Sequence, residues 1–97
     1  MPADFSSLYN HHEREVFAAV LDAAKDYPAI AASNDLLCDV ACVALNRLPP
    51  RYIRHEVDFS FYLTEHERLE IDNAIVSAVS YAFDFVEART ALRSRTS

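Results

Sequence analysis

At 97 residues and 11.0 kDa, with Asp+Glu 15 against Lys+Arg 9 and a formal net charge of -6, the chain has the size of one small domain over residues 1–97. It contains no glycine, which excludes Walker-type phosphate loops and Rossmann dinucleotide fingerprints, because both need backbone that tolerates positive φ and close phosphate approach. No segment approaches the ~20 apolar residues of a membrane span and the N-terminus has no leader pattern, so a cytoplasmic location is expected.

The first helix is expected to begin near Asn10, whose side chain can cap while Glu13 completes a capping-box arrangement. Val16, Phe17, Val20, Leu21 and Ala24 form its apolar stripe, and Pro28 ends the pattern after Tyr27. Ser33 and Asn34 are capping residues for a second helix, in which Leu36, Leu37, Val40, Ala41, Ala44, Leu45 and Leu48 share a face until Pro49. Cys38 and Cys42 lie four apart on this helix, a spacing poor for a mutual disulfide, and are expected to be small buried apolar side chains.

After Pro49-Pro50 the period changes to two: Ile53, Val57, Phe59, Phe61 and Leu63 alternate with Arg54, Glu56, Asp58, Ser60 and Tyr62. A lone strand must pair within the chain after a bend or with its equivalent in a second subunit, and without glycine for a tight hairpin the intersubunit pairing is the expectation. Thr64-Glu65-His66-Glu67 is a second capping-box pattern and opens a long helix. It carries Leu69, Val76, Val79, Phe83 and Val86 on one face and Ile71, Ile75, Ala78, Ala82 and Phe85 on another, which predicts two packing partners, with Asp72 as a polar exception. Residues about 1–8 and 90–97 read as flexible ends, with Ser94–Ser97 a frayed polar tail. The expected fold is mainly α: a small domain of three main helices with one extended β segment after the Pro-Pro, assembled as a homodimer because 52% hydrophobic residues exceed what so small a domain easily hides.

Chemistry concentrates at the end of the second helix. Between Asp39 and Glu56 there is no acid, while Arg47, Arg51 and Arg54 fall close together, and eight of the nine basic residues of the chain are Arg. Guanidinium groups fork onto phosphate or onto the O6/N7 edge of guanine and stack on purines. Tyr52 adds a stacking face and Asn46 a group that reads amide or purine edges. The plainer alternative is that Asn46 caps the helix, the prolines stop it, Tyr52 packs in the core and the arginines answer nearby acids. Tyr9, Asn10 and Glu13 divide in the same way, between completing a pocket from the first helix and serving as a cap with an aromatic staple. His11, His12, His55 and His66 have no shared geometry legible in the sequence and receive no role, and none of them completes a zinc-finger spacing with the cysteines.

The run Asp39-Val40-Ala41-Cys42-Val43-Ala44-Leu45-Asn46-Arg47-Leu48-Pro49-Pro50-Arg51-Tyr52 resembles the signature of the ComFB family of bacterial late-competence proteins. Tyr9-Asn10-His11-His12-Glu13 followed by Val16 is similar to that family's N-terminal Asn-aromatic-x-Glu element. The resemblance implies a small, mostly helical, dimeric, non-catalytic protein, and a receptor for a cyclic dinucleotide second messenger, with cyclic di-GMP the favoured candidate and cyclic di-AMP the other. Its ligand-binding residues would be Tyr9, Asn10, Glu13, Asn46, Arg47, Arg51, Tyr52 and Arg54. Some members bind zinc through cysteines before the second helix. Here that region is Ala29-Ile30-Ala31-Ala32-Ser33 and only Cys38 matches, so neither zinc nor another cofactor is expected.

Other classes fit less well. Glu65, Glu67, Glu70 and Asp72 are more simply the acidic first turns of a helix than a hydrolase's carboxylate pair, so the chain is not expected to be an enzyme. A sequence pI near 5.0 with one short basic patch argues against DNA binding. The alternative to the receptor is a non-catalytic dimeric protein–protein adaptor whose arginines dock an acidic partner; as a receptor, too, it would relay its signal to an unknown protein target.

Overall fold

A computed structural model describes residues 3–55 and 63–96. The elements in chain order are β1 (Tyr9–Asn10), α1 (His12–Ala23), a 3-10 turn (Ala24–Asp26), α2 (Pro28–Ala31), α3 (Asn34–Arg47), β2 (Tyr52–Ile53) and α4 (Glu65–Thr96). The protein is mainly helical with a small two-stranded sheet. No helix among the described residues is long and apolar enough to cross a membrane.

The molecule is a plate of 51 × 39 × 19 Å. Its long dimension is that of α4, since 32 residues at ~1.5 Å each span ~48 Å, and its thickness is that of two helix layers. α1 and α3 pack on α4 and on each other. Val16, Val20, Val40, Ala44, Ile75, Ala78, Val79, Ala82, Phe83 and Val86 fill the seam. Three of these ten are alanines, and the one large ring among them, Phe83, stacks on Tyr27 at 4.4 Å between centroids.

Two of the three expected caps form; at the first, His11 is the N-cap residue of α1 with no side-chain cap hydrogen bond, and Asn10 Oδ1 accepts from the His12 N–H in place of a capping box with Glu13. Ser33 Oγ accepts from the Leu36 N–H at 3.2 Å, and Thr64 Oγ1 accepts from the Glu67 N–H at 3.1 Å while its hydroxyl donates to the Glu67 carboxylate. α3 ends at Arg47 because Leu48 precedes a proline and is driven to extended backbone, φ -94 and ψ 139.

Several expectations are corrected. Pro28 does not simply end the first helix: α1 stops at Ala23, the chain tightens through the 3-10 turn, and Pro28 opens α2 from its first position, where its missing N–H costs nothing. The two apolar stripes of α4 share one buried face within the chain. The inner members of both, Ile75, Ala78, Val79, Ala82, Phe83 and Val86, are buried by α1 and α3 of the same chain, leaving Leu69, Val76 and Phe85 exposed at the margins. α4 also continues past Arg89 through Thr96. Cys38 and Cys42 are exposed, not buried, because Val40 and Ala44 take the inner face of α3; their sulfurs lie 3.8 and 3.6 Å from the amide nitrogens of Asn34 and Asn46.

The strand differs most. β2 pairs antiparallel with β1 of the same chain, Tyr9 opposite Ile53 and Asn10 opposite Tyr52, so this part of the extended segment finds a partner within the chain. Val57, Phe59 and Phe61 of the predicted strand lie outside the described residues, and Leu63 stands in irregular backbone.

Candidate functional site

The prolines leave Arg51 and Tyr52 on a segment without helical support, and the N-terminal residues supply what is missing. Asn10 Oδ1 accepts two backbone N–H groups, from Arg51 at 3.1 Å and from His12 at 3.3 Å. One amide side chain thereby starts α1 and tethers the Pro-Pro segment. The His11 N–H completes the clasp by donating to the Arg51 carbonyl at 2.7 Å. Each strand is only two residues long, so these side-chain and flanking bonds carry much of the pairing.

Beneath the clasp lies a cavity of about 220 Å³ lined by His12, Leu48, Pro49, Pro50, Arg51, Glu70, Ile71 and Ala74. Its walls are largely apolar, with Arg51 and Glu70 as its charged residues. His12 is the buried polar side chain of the described residues, at 6% exposure. Burial, reinforced by the neighbouring His11, lowers its pKa and keeps the ring neutral, while a hydrogen bond to the Pro49 backbone opposes the shift and the Arg51 charge adds to it. Its Nδ1 is buried without a hydrogen-bond partner among the described residues. A neutral, desolvated imidazole thus joins the start of α1 to the proline segment.

The residues singled out from sequence separate into two groups. Tyr9, Asn10, Arg51 and Tyr52 are brought together by the clasp, and Tyr52 is 68% exposed, so it is a surface ring and not a core one. Asn46 and Arg47 belong to a different surface. The Asn46 amide donates to the Cys42 carbonyl at 3.0 Å on its own helix, and the Arg47 guanidinium sits 3.7 Å from the centroid of the Tyr81 ring on α4. Glu13 is exposed on the first turn of α1, and Arg54 is exposed just after β2. The sequence reading missed His12 and Glu70. The first sits next to the helix start with no apolar-period signal, and the second reads as one acid among several at the start of α4.

Arg89 pairs with Asp39 at 3.1 Å across α3 and α4, and His66 with Glu70 at 2.9 Å along α4. No group of three or more His, Cys, Asp or Glu side chains among the described residues is placed to hold a metal ion.

Fold and site together define a small helical domain in which a Pro-Pro-Arg-Tyr segment is clasped by the N-terminus over an apolar, charge-rimmed cavity. Residues 9–90 match the family described as "Late competence development protein ComFB", and the chain belongs to that family. No curated protein matches it, and no solved structure does.

Proposed function

We propose that the protein is a non-catalytic, cytoplasmic, homodimeric receptor that binds a cyclic dinucleotide, cyclic di-GMP in preference to cyclic di-AMP, and relays that state to a protein target. The observation that carries the reading is Arg51: the same residue is held at its backbone by Asn10 and His11 and lines an apolar cavity, and the residue that follows it, Tyr52, exposes its ring. A guanidinium beside an apolar slot and a flat aromatic face are the groups that a phosphate joined to a purine requires. Ligand sites for drug-sized molecules run to about 300–1,000 Å³, so this cavity suits one base of such a ligand, with the remainder lying across the exposed clasp.

A second reading, the protein–protein adaptor, is favoured by the exposed apolar side chains Phe17, Leu21, Leu69 and Val76 on α1 and α4. Calorimetric titration of the protein with cyclic di-GMP and cyclic di-AMP separates the two. Saturable heat that is abolished in Arg51→Ala and largely retained in Arg47→Ala supports the receptor and the division of the two arginines. Absence of heat with both ligands from a folded protein overturns the receptor and leaves the adaptor.

A further inference from the structure

We propose that Glu70 is the specificity-determining residue of this cavity and makes it a guanine site. The proposal rests on the reading of the cavity as a nucleotide site. Glu70 comes from the second turn of α4, far in sequence from the arginine segment, yet it lines the same cavity as Arg51. An ionised carboxylate only accepts hydrogen bonds, and it has about four lone-pair positions for them. Glu70 Oε1 lies 2.9 Å from His66 Nε2 along α4, with both side chains largely exposed, and the carboxylate keeps acceptor capacity on both oxygens.

A purine entering between Leu48, Ile71, Ala74 and the proline rings shares the cavity with an acceptor-only group, Glu70, and a donor-only group, Arg51. Guanine satisfies both, since its N1–H and N2–H face outward as paired donors and its O6 and N7 are the acceptors onto which arginine forks. Adenine fails at the carboxylate, because it presents a bare N1 lone pair beside its N6 amino group. The mismatch leaves a carboxylate oxygen facing a lone pair, the kind of unpaired contact by which polar sites reject near-identical ligands. The remaining polar wall, His12, is neutral, so it adds no charge that would override this choice.

The substitution Glu70→Gln tests the idea, because a carboxamide offers one acceptor and one donor and matches adenine as glutamine does in base readout. Glu70 is exposed on its outer side, and the substitution leaves the buried core untouched. Wild type and E70Q are titrated with cyclic di-GMP, cyclic di-AMP, GMP and AMP, with Asp72→Asn as a control that removes a nearby negative charge outside the cavity lining. The expected result is a guanine preference of on the order of tenfold in wild type and D72N that is lost or inverted in E70Q. An E70Q protein with both affinities raised in parallel, as in D72N, shows only a charge effect and overturns the proposal, as does an unchanged ratio. If cyclic dinucleotides fail to bind while GMP outcompetes AMP in a Glu70-dependent way, the second-messenger reading falls and the guanine site stands. Absence of binding by all four ligands overturns both.

Discussion

The helical seam and the Pro-Pro clasp are neighbours in one small molecule but are held together by different physics. The seam is a set of Val, Ala, Ile, Leu and Phe side chains from α1, α3 and α4 with no hydrogen bond between them, and its strength scales with area removed from water. The clasp contributes little area. Two short strands, one asparagine oxygen and one backbone N–H hold it, and its buried side chain is a histidine. The seam determines whether the chain folds, while the clasp determines where Arg51 and Tyr52 stand. A region of the second kind opens locally at a lower free energy than the first, which suits a segment that must admit a ligand.

The sharpest way to break the seam is Phe83→Ala. Phe83 is fully buried, stacks on Tyr27, and is the largest side chain in the core. Removing it costs ~3–5 kcal/mol by lost transfer and cavity formation, a large part of the ~5–15 kcal/mol total of a small domain. Denaturant unfolding is expected to show that loss with helix and clasp signals collapsing together. A shift in midpoint of less than a quarter of that size would mean that the seam relaxes around the gap and is not the determinant of folding.

Asn10→Ala addresses the clasp alone. It removes the single acceptor shared by the Arg51 and His12 N–H groups, and losses of this type cost ~1–2 kcal/mol. Native-state hydrogen exchange is expected to speed at Arg51, His11 and His12 while amides of α4 near Phe83 keep most of their protection. Uniform acceleration across both regions would show that the clasp and the seam open as one unit.

The same division explains what could be read from the chain beforehand. The seam was legible because Val16, Val20, Val40, Ala44, Val79, Phe83 and Val86 recur at helical spacing, and because Ser33 and Thr64 are capping residues whose chemistry is local. The clasp was legible only in its composition. Tyr9 and Asn10 read as a helix cap, and nothing in a two-residue strand produces a detectable period, so the pairing of Tyr9 with Ile53 and of Asn10 with Tyr52, far apart in sequence, was hidden. The outward turn of Cys38 and Cys42 was missed for a related reason: residue type predicts burial only on average, and the face was already taken by Val40 and Ala44. Glu70 entered the cavity through tertiary packing of α4, which leaves no mark on spacing.

His12 is where the two regions meet, and acidification is the mildest way to test the boundary. Its folded-state pKa lies below the ordinary 6.5, chiefly because burial disfavours the imidazolium, with His11 and Arg51 adding repulsion and the Pro49 backbone opposing them. Glu70, the remaining charged group lining the same cavity, is the one that would favour protonation. Because the unfolded chain binds the proton more readily, the stabilisation from a neutral His12 is fully present above 6.5 and is lost as the pH falls through that value toward the lower folded pKa. The His12 resonance followed by NMR is expected to titrate below the ordinary 6.5, accompanied by shifts in Arg51 and Tyr52 and not in Val86 or Ala82. In His12→Gln the loss of stability as the pH falls below 6.5 shrinks, since the titrating group is gone. If His12 instead titrates at or above its ordinary value, Glu70 outweighs burial, and the cavity is a more hydrated and more negative environment than its apolar lining implies.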